Sequence, residues 1–179
     1  YHRLCFVAQT NITAAPLAVD KVTILSESHN GTTDIEQYLV LRKPLKLDQK
    51  QLKVEVAFRL TTDDVNGKPS IMAVPNSKLV VYFPTERVTH LNFLLQGPYK
   101  TTPNRENIPL DDPENEEITY HLAQLAAESI PVLKELGLLD VSFLQILPLQ
   151  LPYNVGDPIY EAVYKQVKQQ IASDIAVLP

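Results

Sequence analysis

Apolar and polar residues alternate cleanly in "LKVEVAFRL", where Leu52, Val54, Val56, Phe58 and Leu60 are separated by Lys53, Glu55, Ala57 and Arg59. That period of two predicts a half-buried strand with one wet face. Asn30-Gly31 and Asn66-Gly67 supply the positive φ angles of tight hairpins. "VTILSE" with "IEQYLVL", and "VEVAFRL" with "SIMAV", are therefore expected to pair antiparallel. "KLVVYF" and "HLNFLLQ" are more continuously apolar, which predicts central strands covered on both faces, with "PTERVT" as their connection. "YHRLCFVAQ" also reads as part of a strand.

Beyond residue 110 the period changes. Asp112-Pro113 reads as an N-cap followed by proline at the first helical position, and Glu114, Glu116 and Glu117 suit the positive end of a helix dipole. Ile118, Leu122, Leu125, Ser129, Val132 and Leu136 follow at helical spacing, with Gly137 as the stop and Pro131 as an expected interruption and bend. Asp140 can cap a short helix through "VSFLQIL". Asp157-Pro158 repeats the cap signature before a helix whose Ile159, Val163, Val167 and Ile171 form an apolar stripe that needs a partner surface. Strands first and helices second define an α+β fold, with a mainly antiparallel or mixed sheet and C-terminal helices packed on one face or end. Residues 1–152 form this α+β unit; residues 153–179 carry the C-terminal helix, which can also open a linker or a next domain.

The 179 residues suffice for one domain with a proper core. Sixteen basic against 21 acidic side chains give a net charge of −5, which argues against nucleic acid or an anionic membrane as a general partner. A single cysteine, Cys5, excludes an internal disulfide framework and points to a reducing, cytoplasmic setting. The chain starts at Tyr1 within a strand-like run and ends at "AVLP" without a polar tail, so a piece of a longer polypeptide is expected.

Candidate chemistry is sparse. His2, His29, His90 and His121 show no i, i+3 or i, i+4 pairing with an acidic companion, so no metal site is expected. Cys5 has the flanks of a buried strand rather than of a nucleophile. The five glycines lie too far apart for a P-loop or a dinucleotide fingerprint. The acidic run from Asp111 to Glu117 is accounted for by its place at a helix start. What remains is "QGPYKTTPNREN", a Gly-Pro turn followed by Lys100, Thr101, Thr102, Asn104 and Arg105. A planar guanidinium, an ammonium and short polar groups suit a phosphate oxygen. The same residues suit a solvated basic turn, and spacing alone leaves both readings open.

The stretch "VVYFPTERVTHLNFLLQGPYKTTPNRENIPLDDPEN", continued by "AAESIPVLKELGLLDVSFLQILPL", resembles the segment after the ATP-binding domain in sacsin-like proteins of the GHKL ATPase superfamily, relatives of the ninety-kilodalton heat-shock chaperone. The resemblance covers about Lys78 to Leu149 and implies a transducer, or middle, domain built as a two-layer α+β sandwich. In that family a basic loop residue reaches the γ-phosphate held by the neighbouring domain. By position Arg105 matches that arginine and Asn104 the residue beside it; Lys100 and Thr102 are assigned to the phosphate by their chemistry.

The resemblance further implies that ATP and magnesium are held by an ATP-binding domain upstream in the same polypeptide, because the Asn-Glu helix, the Asp-x-Gly-x-Gly site and the glycine-rich lid are missing from these 179 residues. In isolation no cofactor and no turnover are expected. The competing expectation is a module that binds a client protein through the basic turn or the Ile159–Ile171 stripe, without nucleotide.

Overall fold

A computed structural model describes residues 3–14, 17–27, 32–47, 49–62, 67–103, 108–149 and 156–173. Eight strands, β1 (Arg3–Ala14), β2 (Leu17–Glu27), β3 (Thr33–Leu47), β4 (Lys50–Thr62), β5 (Pro69–Met72), β6 (Lys78–Val81), β7 (Phe83–Val88) and β8 (Leu94–Gln96), are followed by helices α1 (Pro113–Glu135), α2 (Val141–Leu144) and α3 (Pro158–Ser173). One sheet runs in the order β1-β2-β3-β4-β8-β6-β7, and β5 pairs with β4. Neighbours are antiparallel except β6 and β8, which run parallel. This is the α+β architecture expected from the order of periodicities.

The core lies between one face of the sheet and α1. Leu39, Leu41, Val54, Val56, Phe58 and Leu95 meet Ile118, Leu122, Leu125, Ile130 and Leu133, all buried. Both expected hairpin pairings, β2 with β3 and β4 with β5, are present. Gly67 takes φ +63° in the second turn, while Asn30, Gly31 and Asn66 lie outside the described residues. Cys5 falls within β1. On the face away from α1, Arg42 bridges the buried carboxylates of Asp20 and Glu55, and Lys53 joins Glu55 at 2.9 Å.

Three expectations need correction. "PTERVT" is not a connection: it supplies edge strand β7, with Thr85 turned inward to donate to the Leu79 carbonyl at 2.8 Å. Polar inward positions hid its alternation, and Pro84 is tolerated because, among the described residues, β7 lies at the edge of the sheet. "KLVVYF" and "HLNFLLQ" do supply internal strands of the sheet, β6 and β8, but short ones that are not covered on both faces. Tyr82 takes φ 59° and reverses the chain, leaving Tyr82 and Phe83 exposed, and β8 begins only at Leu94, after Leu91 and Phe93 have entered the core from a bend. Finally, α1 runs through Pro131 without interruption.

The helix signals match the structure. Asp112 accepts from the N–H groups of Glu114 and Asn115 at 2.9 and 3.3 Å. At the other end Leu138 N–H reaches the Leu133 carbonyl and Gly137 N–H the Lys134 carbonyl, each at 2.9 Å, with Gly137 at φ +69°. That pair of hydrogen bonds is a Schellman stop, which favours glycine at this position. Asp140 caps only the four residues of α2. Asp157 caps α3 through Tyr160 N–H at 2.9 Å, and Arg87 of β7 holds its other oxygen at 2.7 Å. The partner surface of the α3 stripe is α1: Ile159, Val163 and Val167 are buried in the same core, with Ile171 half-buried beside them.

Candidate functional site

The segment from Gly97 to Leu110 leaves the sheet at the end of β8, a strand flanked by β4 and β6, and returns at the start of α1. Gly97 is required by close approach. Its N–H donates to the Val80 carbonyl at 3.1 Å, and a Cβ there would lie 2.8 Å from Ile118 Cγ2 and 2.9 Å from Tyr99 Cε2. Tyr99 is buried against the first turns of α1, where its hydroxyl meets the Thr119 hydroxyl at 3.0 Å. Thr119 in turn donates to the Asn115 carbonyl at 2.8 Å. Burial raises the Tyr99 phenol above its ordinary range, so it stays neutral and keeps its proton for this bond.

Asn115, with no exposed surface, closes the base of the loop. Its carbonyl oxygen accepts from Lys100 N–H at 2.8 Å, and its amide nitrogen donates to the carbonyls of Lys100 at 3.1 Å and Pro109 at 2.7 Å. One side chain therefore fixes both ends of the segment 101–108. Ile108, buried, anchors the returning strand of the loop.

Lys100 and Thr102 are the two assigned residues that fall within this frame. The Lys100 ammonium lies 2.7 Å from Glu114 and 3.3 Å from Asp112, on the first turn of α1. Its pKa is raised, chiefly by the hydrogen bond to Glu114 and further by Asp112. Desolvation pushes the Asp112 pKa up, but the Glu114 N–H, Lys100 and the Asn115 N–H outweigh it and hold the carboxyl below its ordinary value. A phosphate contact by Lys100 would require it to exchange these carboxylates. Thr102 is half-buried and already engaged in an interaction within the fold. Asn104 and Arg105 lie outside the described residues. Among the described residues no group of three His, Cys, Asp or Glu side chains could hold a metal ion, and no helix is long and apolar enough to cross a membrane.

Sequence reasoning missed Asn115, Tyr99 and Thr119. A signal for Asn115 existed: it stands three residues before Ile118 and seven before Leu122, on the buried stripe of α1, where an amide side chain must find partners. Comparison of the chain with family models, with curated proteins and with solved structures finds no match.

Proposed function

We propose that the chain is a transducer-type coupling domain of a sacsin-like GHKL ATPase, in which the 101–108 loop carries Arg105 to the γ-phosphate of ATP bound with magnesium on an upstream domain of the same polypeptide. The observation that carries this reading is the Asn115 clamp, because a charge offered to a phosphate held elsewhere needs a base that resists displacement. The loop springs from β8 and lands on α1, so a pull on Arg105 would pass into both layers of the core. Lys100 is shared between two carboxylates, which leaves Arg105, with Asn104 beside it, as the phosphate-facing pair and gives Lys100 and Thr102 supporting positions at the loop root.

In this reading the arginine stabilises charge that develops on the transferring phosphoryl group, and hydrolysis therefore waits for domain closure. The chain alone neither binds ATP tightly nor turns it over, and a reducing, cytoplasmic setting belongs to the same proposal. Arg105→Ala in the polypeptide that includes the ATP-binding domain is expected to lower turnover by on the order of a thousandfold while ATP binding stays nearly intact. Lost binding with unchanged turnover per bound nucleotide would overturn it.

A second reading, client binding without nucleotide contact, draws on Tyr82 and Phe83, which stand 74% and 66% exposed at the β6–β7 turn. The α3 stripe, spent on α1, does not serve it. Partner capture indifferent to both ATP and Arg105 would favour this second reading.

A further inference from the structure

The two ends of the sheet are finished differently. At one end β7 spans 6 residues, holds Pro84, carries the exposed Glu86 in an ion pair with Lys78 at 2.7 Å, and is tied through Arg87 to Asp157 at 2.7 Å. Shortness, proline and charge are the devices by which a strand edge refuses a further strand. At the other end β1 spans 12 residues and pairs, among the described residues, with β2 alone. Residues 4–14 of it include no Pro, Gly, Asp, Glu, Lys or Arg. A register shift between Phe6 and Ala8 interrupts the pairing, and beyond it residues 8–14 face residues 17–23 of β2 without a break. The outer side of residues 8–14 is thus a row of backbone donors and acceptors with none of the protection that β7 carries.

Symmetry and charge select what fills it. A strand laid antiparallel on its own copy meets an identical edge across a two-fold axis, so each outward N–H finds a carbonyl with no other match required. Such a pair fails where it brings like charges face to face. Residues 8–14 bring none: Thr10 and Asn11 are exposed and neutral, and Arg3, the one charged residue of β1, lies outside that stretch. Ile12, half-buried against the core, gains further cover from an added strand. The protected β7 end keeps the assembly from growing past two chains.

We propose that residues 8–14 of β1 pair antiparallel with the same residues of a second copy of this chain, joining two sheets into one across a two-fold axis. Main-chain hydrogen bonds hold the contact, as in other cases of strand addition to an open edge. The interface does not depend on the nucleotide reading.

The test is sedimentation velocity of the chain under reducing conditions, from micromolar to millimolar concentration. A reversible monomer–dimer equilibrium is expected. Thr10→Lys with Thr13→Lys sets like charges across the axis and should weaken the dimer about tenfold or more, and so should Thr10→Glu with Thr13→Glu. An equimolar mixture of the two doubly substituted chains, each checked for its fold by circular dichroism, should recover the dimer. Amide exchange at residues 8–14 of the unsubstituted chain should slow as concentration rises. A monomer at every concentration, association indifferent to both charged pairs, no recovery in the mixture, or growth beyond two chains would each overturn the proposal. A dimer that is lost instead on Tyr82→Ser with Phe83→Ser would place the contact at the β6–β7 turn and overturn it as well.

Discussion

Two regions of the molecule treat their polar groups in opposite ways. At the root of the β8–α1 loop every group that matters is matched internally: Asn115 takes three backbone partners, Tyr99 takes Thr119, and Lys100 takes Asp112 and Glu114. At the end of the β3–β4 hairpin, among the described residues, Lys50 to Lys53 of β4 pair with β3 alone and Lys46 and Lys50 stand without carboxylates. Lysine is thus structural on one side and available on the other. What differs is whether the fold brings a counter-charge to the ammonium, which residue type alone cannot tell.

The sharpest way to break this contrast is to remove the clamp. Asn115→Ala leaves a buried N–H and two carbonyls without partners and is expected to cost about 3 kcal/mol, measured by chemical denaturation. An effect below about 0.5 kcal/mol would mean that the base is held by something else. Next in size, Gly97→Ala drives a methyl group into Ile118 and Tyr99, and about 1–3 kcal/mol of lost stability is expected.

The smallest effect separates the lysines. At neutral pH Lys100→Met should lower the thermal midpoint, and Lys46→Met should leave it unchanged. The Lys100 difference carries its own pH signature. Asp112 titrates below the ordinary aspartate value of 3.8 in the folded chain, so its contribution is present above 3.8 and is lost as pH falls through the lower folded value. Lys100 titrates above its ordinary 10.5, so its contribution is present below 10.5 and is lost as pH rises through the folded value. Melting curves of both variants across that window distinguish a paired lysine from an unpaired one. Equal midpoints at neutral pH would erase the contrast.

Much of the frame was legible in the sequence. The β4 alternation, the Asp112-Pro113 start of α1 and its Gly137 stop are local signals; local hydrogen bonds realise the two helix ends, and burial of one face realises the strand. Strand β7 was not legible, because its inward position is held by Thr85, a polar residue that finds a carbonyl only after β6 is in place. Nor does any glycine or asparagine mark Tyr82 as the point where the chain turns with positive φ. The candidate site divides in the same way. Lys100, Thr102, Asn104 and Arg105 stood out by residue type, but the counter-charges of Lys100 and the clamp of Asn115 depend on residues 100, 109 and 115 meeting in space. That Lys50 to Lys53 pair on one side only, among the described residues, likewise depends on where β8 stops.

In the proposed coupling role, the Asn115-held base would place Arg105 on a phosphate bound by the neighbouring domain. The most direct test of this role is a double-mutant cycle on single-turnover ATP hydrolysis in the polypeptide that includes the ATP-binding domain, at a temperature where every variant is folded. Asn115→Ala and Arg105→Ala should each slow the chemical step, and the double variant should be no slower than Arg105→Ala alone. Losses that simply multiply, or a hydrolysis rate untouched by Arg105→Ala, would contradict it.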